Sequence, residues 1–154
     1  MAPYGPPEKV HMEFDWYDGP LSGIANVDGR PHYFESRFDE ANDTFSSTFA
    51  IWPIDAQMLA LEVEQWRIFV DWNAVFEAGR TGVTTHPAHG GINPRWGVLQ
   101  GLLKTGREVP ADARKARCKL IRIERDQRYS LEGPDYLLSW YLLPESGART
   151  ELAG

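Results

Sequence analysis

Residues 15–35, DWYDGPLSGIANVDGRPHYFE, gather the side chains best suited to acid–base work or cation binding: Asp15, Asp18, Asp28, His32 and Glu35. A general acid and base need two carboxylates facing one cleft, with their pKa values pushed apart. An enzyme built here would draw on Asp18 and His32. The local pattern argues for another role. Asp18 and Asp28 each precede a glycine, where a short polar side chain caps its own turn by bonding nearby backbone N–H groups. Asp15 alternates with Phe14 and Trp16, which sends it to the opposite, hydrated face of a strand. Turn chemistry accounts for both Asp-Gly pairs without a substrate and is the preferred reading.

His86 and His89, in THPAHGG, stand at i, i+3. Imidazoles at that spacing can bind zinc, but a zinc site takes three or four ligands. The remaining donors are His11, His32, Cys118 or a carboxylate, and none stands at a diagnostic spacing. HExxH and paired CxxC motifs are absent. A solvated loop pair, with Pro87 fixing the chain, is preferred. The alternative is a metal-assisted hydrolase using His86, His89 and a hairpin carboxylate such as Asp18. No cofactor is implied. Cys118 lies among apolar neighbours, and Arg117 and Lys119 would project to the other face and do little to activate it. Ser22, in LSGIA, is not on a G-x-S-x-G elbow, and the glycines form neither a Rossmann nor a P-loop pattern.

The net charge of −6 is unevenly distributed: −8 over residues 1–103, +5 over 104–128 and −3 over 129–154. An acidic body repels polyanions, so a nucleic-acid partner and an anionic membrane are both disfavoured. Arg114, Lys115, Arg117, Lys119, Arg122, Arg125 and Arg128 are read as charge compensation and protection of an edge strand.

The aromatics carry the functional expectation. Adjacent strand residues point to opposite faces, so Trp16 and Tyr17 cannot both be buried by one layer, nor can Trp140 and Tyr141. Outward Trp and Tyr beside acids are the material of protein-binding hot spots. The chain is therefore expected to be a small binding or interaction domain that uses Trp16, Tyr17, Asp18 and Tyr33 against a protein partner. An inhibitor or immunity-type role against a basic partner is one concrete form. A homo-oligomeric contact is the remaining use for such a face.

The elements that must position these residues follow from pattern. The chain has 154 residues and one cysteine, which suits one domain that needs no disulfide and fits a reducing compartment. The N-terminus has neither the basic nor the apolar region of a secretory signal, and no apolar run approaches a membrane span, so a cytoplasmic location is expected. Residues 1–11 read as an irregular Pro-rich arm, 12–143 as one domain and 144–154 as a mobile tail. Four short strands follow from Met12, separated by Asp-Gly turns and by FDEAND, with Phe45, Phe49 and Ile51 on one face of the fourth. Asp55 is positioned to cap a long helix over Met58–Ala78, stopped by Gly79, with Leu59, Val63, Trp66 and Val70 on its buried face. Phe69, Trp72 and Phe76 widen that face, and Glu64, Arg67 and Asp71 form the solvated stripe. A shorter helix in NPRWGVLQGLLKTG, bearing Trp96, Leu99, Leu102 and Leu103, is expected to cover its flank. ARCKLIRIERD reads as a strand with a bulge or with burial on both sides, hairpin-paired to YLLSWYLL. The class is α+β: an antiparallel four-strand meander plus a C-terminal hairpin, packed with one long and one short helix.

Overall fold

The computed structural model describes residues 4–39, 41, 44–90, 92–125 and 129–144. Its strands are β1 (Val10–Trp16), β2 (Pro20–Val27), β3 (Arg30–Asp39), β4 (Thr44–Pro53), β5 (Arg114–Arg122) and β6 (Tyr136–Leu142). Two helices, α1 (Ala56–Glu77) and α2 (Pro94–Leu103), lie between β4 and β5 in the chain. All six strands form one antiparallel sheet in chain order, with β4 pairing β5 across the helical insertion. The fold is α+β, as the periodicities predict.

The sheet curls far enough for its ends to meet. Glu8 and Leu138 exchange backbone hydrogen bonds of 2.8 and 3.1 Å, and the Gly5 N–H donates to the Trp140 carbonyl at 2.9 Å. Residues 4–9 thus run irregularly but are tied along β6. Within the curl sits one core, built from Val10, Ala25, Val27, Phe34, Phe49, Ile51, Ala116, Tyr136, Leu138 and Trp140. The alternate residues of the same strands, Met12, Ile24, Tyr33, Ala50 and Trp52, form a second core on the outer face under Met58, Leu59, Val63 and Trp66 of α1.

Both Asp-Gly pairs are turns. Asp18 and Asp28 have φ of 55° and 53°, and Gly19 and Gly29 have φ of 137° and 75°, the left-handed backbone these dipeptides tolerate. The expected self-capping is replaced at the second turn by a distant partner. The Asp28 and Gly29 N–H groups both donate to the Glu8 carboxylate, at 2.9 and 2.6 Å.

Three pattern-based expectations need correction. Irregular pairing of β1 with β2 breaks the alternation, so Phe14 packs on the outer core and Trp16 on the inner one. A bulge shifts every following side chain to the other face, which strict alternation does not foresee. Conversely, β5 pairs β6 without any register shift: Ala116, Cys118 and Leu120 face the inner core, and Ile121 points outward. The third correction is in α2, where Leu99 and Leu103 are fully buried but Leu102 is exposed. The side chain of Phe45 and residues 145–154 of the tail lie outside the described residues.

Helix α1 begins as its sequence dictates, with the Asp55 carboxylate accepting from the Met58 N–H at 2.7 Å. It ends where Gly79 takes a φ of 73° and lets the Gly79 and Arg80 N–H groups reach the Phe76 and Val75 carbonyls. No helix of the described residues is long and apolar enough to cross a membrane.

Candidate functional site

The most buried positions of α1 are polar. Glu62 and Gln65 are its two buried residues, on the stripe Met58, Glu62, Gln65, Phe69, Trp72 that turns towards the sheet. Glu62 Oε2 accepts from the Tyr33 hydroxyl at 2.6 Å and from Arg107 Nε at 2.8 Å, while Oε1 accepts from Arg107 Nη2 at 2.6 Å. The same Nη2 donates to Gln65 Oε1 at 2.7 Å. Gln100 Oε1 then accepts from Gln65 Nε2 at 2.8 Å and Arg107 Nη1 at 3.2 Å. The network joins β3, both helices and the loop after α2, and every carboxylate oxygen in it has a donor. Burial pushes the Tyr33 hydroxyl pKa well up, and its bond to the Glu62 carboxylate pushes it the same way. Burial alone would lower the Arg107 pKa, but the Glu62 contact outweighs it and holds the guanidinium above its ordinary value.

This network is the floor of a cleft of about 390 Å³ between the outer sheet face and the two helices. Its walls are aromatic: Phe14, Trp52, Trp66, Phe69, Trp96 and Tyr129. Five of these rings are fixed by neighbours. Trp52 Nε1 donates to the Gly106 carbonyl and Trp66 Nε1 to the Ser130 carbonyl, both at 2.9 Å. Trp66 and Phe69 pack at 5.2 Å between centroids, Tyr129 stands edge-on to Phe69 at 5.1 Å, and Arg107 lies 4.9 Å over the Phe14 ring. A pocket of this size, mostly apolar with a few fixed polar groups, has the make-up of a small-molecule site.

The cleft exists because one cross-strand row of the sheet is short. Asp15 pairs Ser22 and Ser22 pairs Glu35, so the position between the two acids is small, and all three residues line the cleft. The neighbouring row, Met12, Ile24, Tyr33 and Trp52, is bulky and fills the space beneath α1.

His86 lines the far wall. Its ring lies 4.7 Å from Trp72, 5.8 Å from Phe69 and 5.8 Å from Trp96, and its Nδ1 accepts from the Ala88 N–H at 3.0 Å. That bond leaves the proton of the neutral ring on Nε2, making this nitrogen a donor. Burial, and then the nearby His89, lower the His86 pKa and keep the ring neutral. His89 is 6.4 Å away between ring centroids.

The side chains singled out from sequence do not converge. His86 lines this cleft, Asp18 lines a second one at the β1–β2 end of the curl, and His32 lines a third at the opposite end. His32 Nδ1 bonds the Arg30 carbonyl at 2.8 Å. Among the described residues, no three His, Cys, Asp or Glu side chains are grouped to hold a metal. Of the expected binding aromatics, Tyr17 is 74% exposed, whereas Trp16 packs on Tyr136 at 5.6 Å with Arg122 over its ring. Tyr33, expected to look outward, is 3% exposed and belongs to the cleft floor instead. Trp140 is buried inside the curl while Tyr141 packs at a tilt against Tyr4, 5.8 Å between centroids, so that pair does split between faces.

Glu62, Gln65, Gln100 and Arg107 are absent from the sequence reading. A signal for the first two was present: they interrupt, at +4, +3, +4 spacing, a stripe otherwise made of Met58, Phe69 and Trp72. Polar residues inside an apolar stripe mark a buried network. Nothing local in GLLKTGREVP points to Arg107 as their partner. Comparison with known proteins finds no matching family model, no matching curated relative and no matching solved structure.

Proposed function

We propose that this chain is a binding domain whose ligand is a small organic molecule held in the cleft between the sheet and the two helices. The observation that carries the reading is the polar floor. Glu62 and Gln65 occupy the helix positions where apolar residues would pack at least as stably, since a buried ion pair contributes little net stability compared with hydrophobic residues of its size. A fully bonded polar floor under aromatic walls makes sense as a device for orienting a ligand rather than for holding the fold. The expected binding role is kept, but its seat moves from the Trp16–Asp18 hairpin to the cleft that Tyr33 helps to build. A reducing, cytoplasmic setting goes with this reading, since a single cysteine cannot form an internal disulfide.

Ligand titration followed through tryptophan indole N–H resonances tests it. A fragment library of small aromatic and aliphatic compounds should shift the indoles of Trp52, Trp66 and Trp96 and leave that of Trp140, buried in the curl, unmoved. Shifts confined to Trp16, or none at millimolar fragment, would remove the cleft as the site.

One observation favours a second reading, docking of a protein at the hairpin end. Tyr17 projects beside Asp18 from a turn held in left-handed backbone. Under that reading Tyr17→Ala abolishes capture of a partner without altering thermal stability; retention of the partner would refute it.

A further inference from the structure

We infer that the ligand of the cleft is an organic cation, an ammonium or comparable head group on a small apolar body; this rests on the binding reading above. The charge of the lining sets the sign. Among the described lining residues, the carboxylates of Asp15, Glu35 and Glu62 face one cation, Arg107, while Glu13 turns its carboxylate to the inner core and accepts from the Tyr136 hydroxyl at 2.7 Å. That guanidinium is committed to Glu62 through two charge-assisted hydrogen bonds, so it offers an incoming anion little uncompensated charge. Glu35 and Asp15 are the groups left with charge to offer. Both belong to the short row of the sheet, one strand on either side of Ser22, with strands spaced about 4.8 Å apart. Lys115 lies in the same row two strands beyond Glu35, about 10 Å away, and is exposed to water rather than turned into the cleft.

The walls match the charge. A cation is attracted to the face of an aromatic ring, most strongly to tryptophan, and the attraction grows as water is excluded. Trp66, Phe69, Trp96 and Tyr129 line the same cleft as Glu35. The cleft already holds one cation in this manner, since Arg107 sits 4.9 Å over Phe14. Neutral His86 adds no competing positive charge on the far wall. Half-buried Glu35, which gains no counter-ion from the floor, would receive one from the ligand.

The test compares three probes of one shape and different charge: choline, its neutral carbon isostere dimethylbutanol, and the anion dimethylbutanoate. Affinities are read from the Trp66 and Trp96 indole shifts of the full chain. Choline should bind at least about tenfold tighter than the neutral isostere, and dimethylbutanoate should not bind. Glu35→Gln, which keeps shape and removes charge, should erase most of the choline advantage while leaving dimethylbutanol binding and the melting temperature unchanged. Asp15→Asn should reduce it less, and added salt should weaken choline selectively. Equal binding of choline and dimethylbutanol in the cleft would overturn the cation assignment and leave the binding reading standing. Tighter binding of the anion would overturn it too. Failure of all three probes overturns the assignment, and the fragment titration then decides separately whether the cleft binds anything.

Discussion

The Tyr33 hydroxyl donates to Glu62 at 2.6 Å, and that bond fastens the third strand to the long helix at the floor of the cleft. Tyr33 is a neutral member of a network whose charged members, Glu62 and Arg107, depend on each other, so single and paired substitutions should differ sharply. Glu62→Ala leaves a largely buried guanidinium without its counter-ion. It should destabilise the protein by about 3 kcal/mol, at the low end for a broken buried pair because Arg107 keeps 30% of its side chain exposed. Tyr33→Phe removes one bond to a charged acceptor and should cost about 1–2 kcal/mol. The double variant Glu62→Leu, Arg107→Met should recover most of the Glu62→Ala loss. Urea unfolding measures all three; a double variant as unstable as Glu62→Ala would mean that the pair supports the fold directly.

Two glycines should respond in opposite directions to alanine. Gly133 has a φ of 105°, and a Cβ there would lie 2.1 Å from the Val10 carbonyl oxygen, a backbone atom that cannot move aside without disturbing β1. Gly133→Ala should therefore destabilise by about 3 kcal/mol or more, combining left-handed strain with the clash. Gly97 lies within α2 with open space around its Cα, so Gly97→Ala should stabilise by about 0.5–1 kcal/mol by restricting the unfolded chain and raising helix propensity. Melting curves of the two variants decide; a neutral Gly133→Ala would show that the 130–135 loop can shift away from β1.

The contrast between these sites and the cleft shows what the sequence made legible. Local signals did well: Asp55 and Gly79 bound α1, the Asp-Gly pairs are turns, and the element order and α+β class follow from the change of period at Pro53. Long-range relations were not encoded in any window. Glu8 reaches the Asp28–Gly29 turn, and Arg107 finds Glu62 from 45 residues away, only because the sheet curls and the helices return across it. The irregularity of β1 hid the site as well. Alternation placed Phe14 and Trp16 together, whereas the register shifts assign Phe14 to the cleft and Trp16 to the inner core. Tyr33 was legible as an important aromatic but not as a buried one, because its cover comes from a helix about thirty positions on.

Cys118 should react slowly in the native state. Burial pushes its thiol pKa up to about 12, leaving almost no thiolate near neutrality, and the side chain packs against the inner core. Labelling with a disulfide reagent at pH 8 should be many-fold slower in the native protein than in denaturant, where the full single equivalent reacts. Rapid native labelling would contradict both the burial and the raised pKa.

Stability should fall on mild acidification, and His11 supplies part of the reason. Burial lowers its pKa in the folded protein; the bond between its Nε2 and Asn26 Oδ1, at 2.7 Å, opposes that shift, and the Lys9 charge adds to it. A group whose folded pKa lies below its unfolded value near 6.5 binds more protons when the chain unfolds. Its contribution is fully present above that value and is lost as the pH drops from there towards the folded pKa. His86, lowered by burial and by His89, acts in the same direction and over the same window. Urea midpoints taken from pH 7.5 downward should hold level and then decline below about 6.5. In His11→Gln the decline should be shallower, with the part belonging to His86 remaining. An unchanged slope in that variant would assign the acid sensitivity elsewhere, to the carboxylates or to His86 alone.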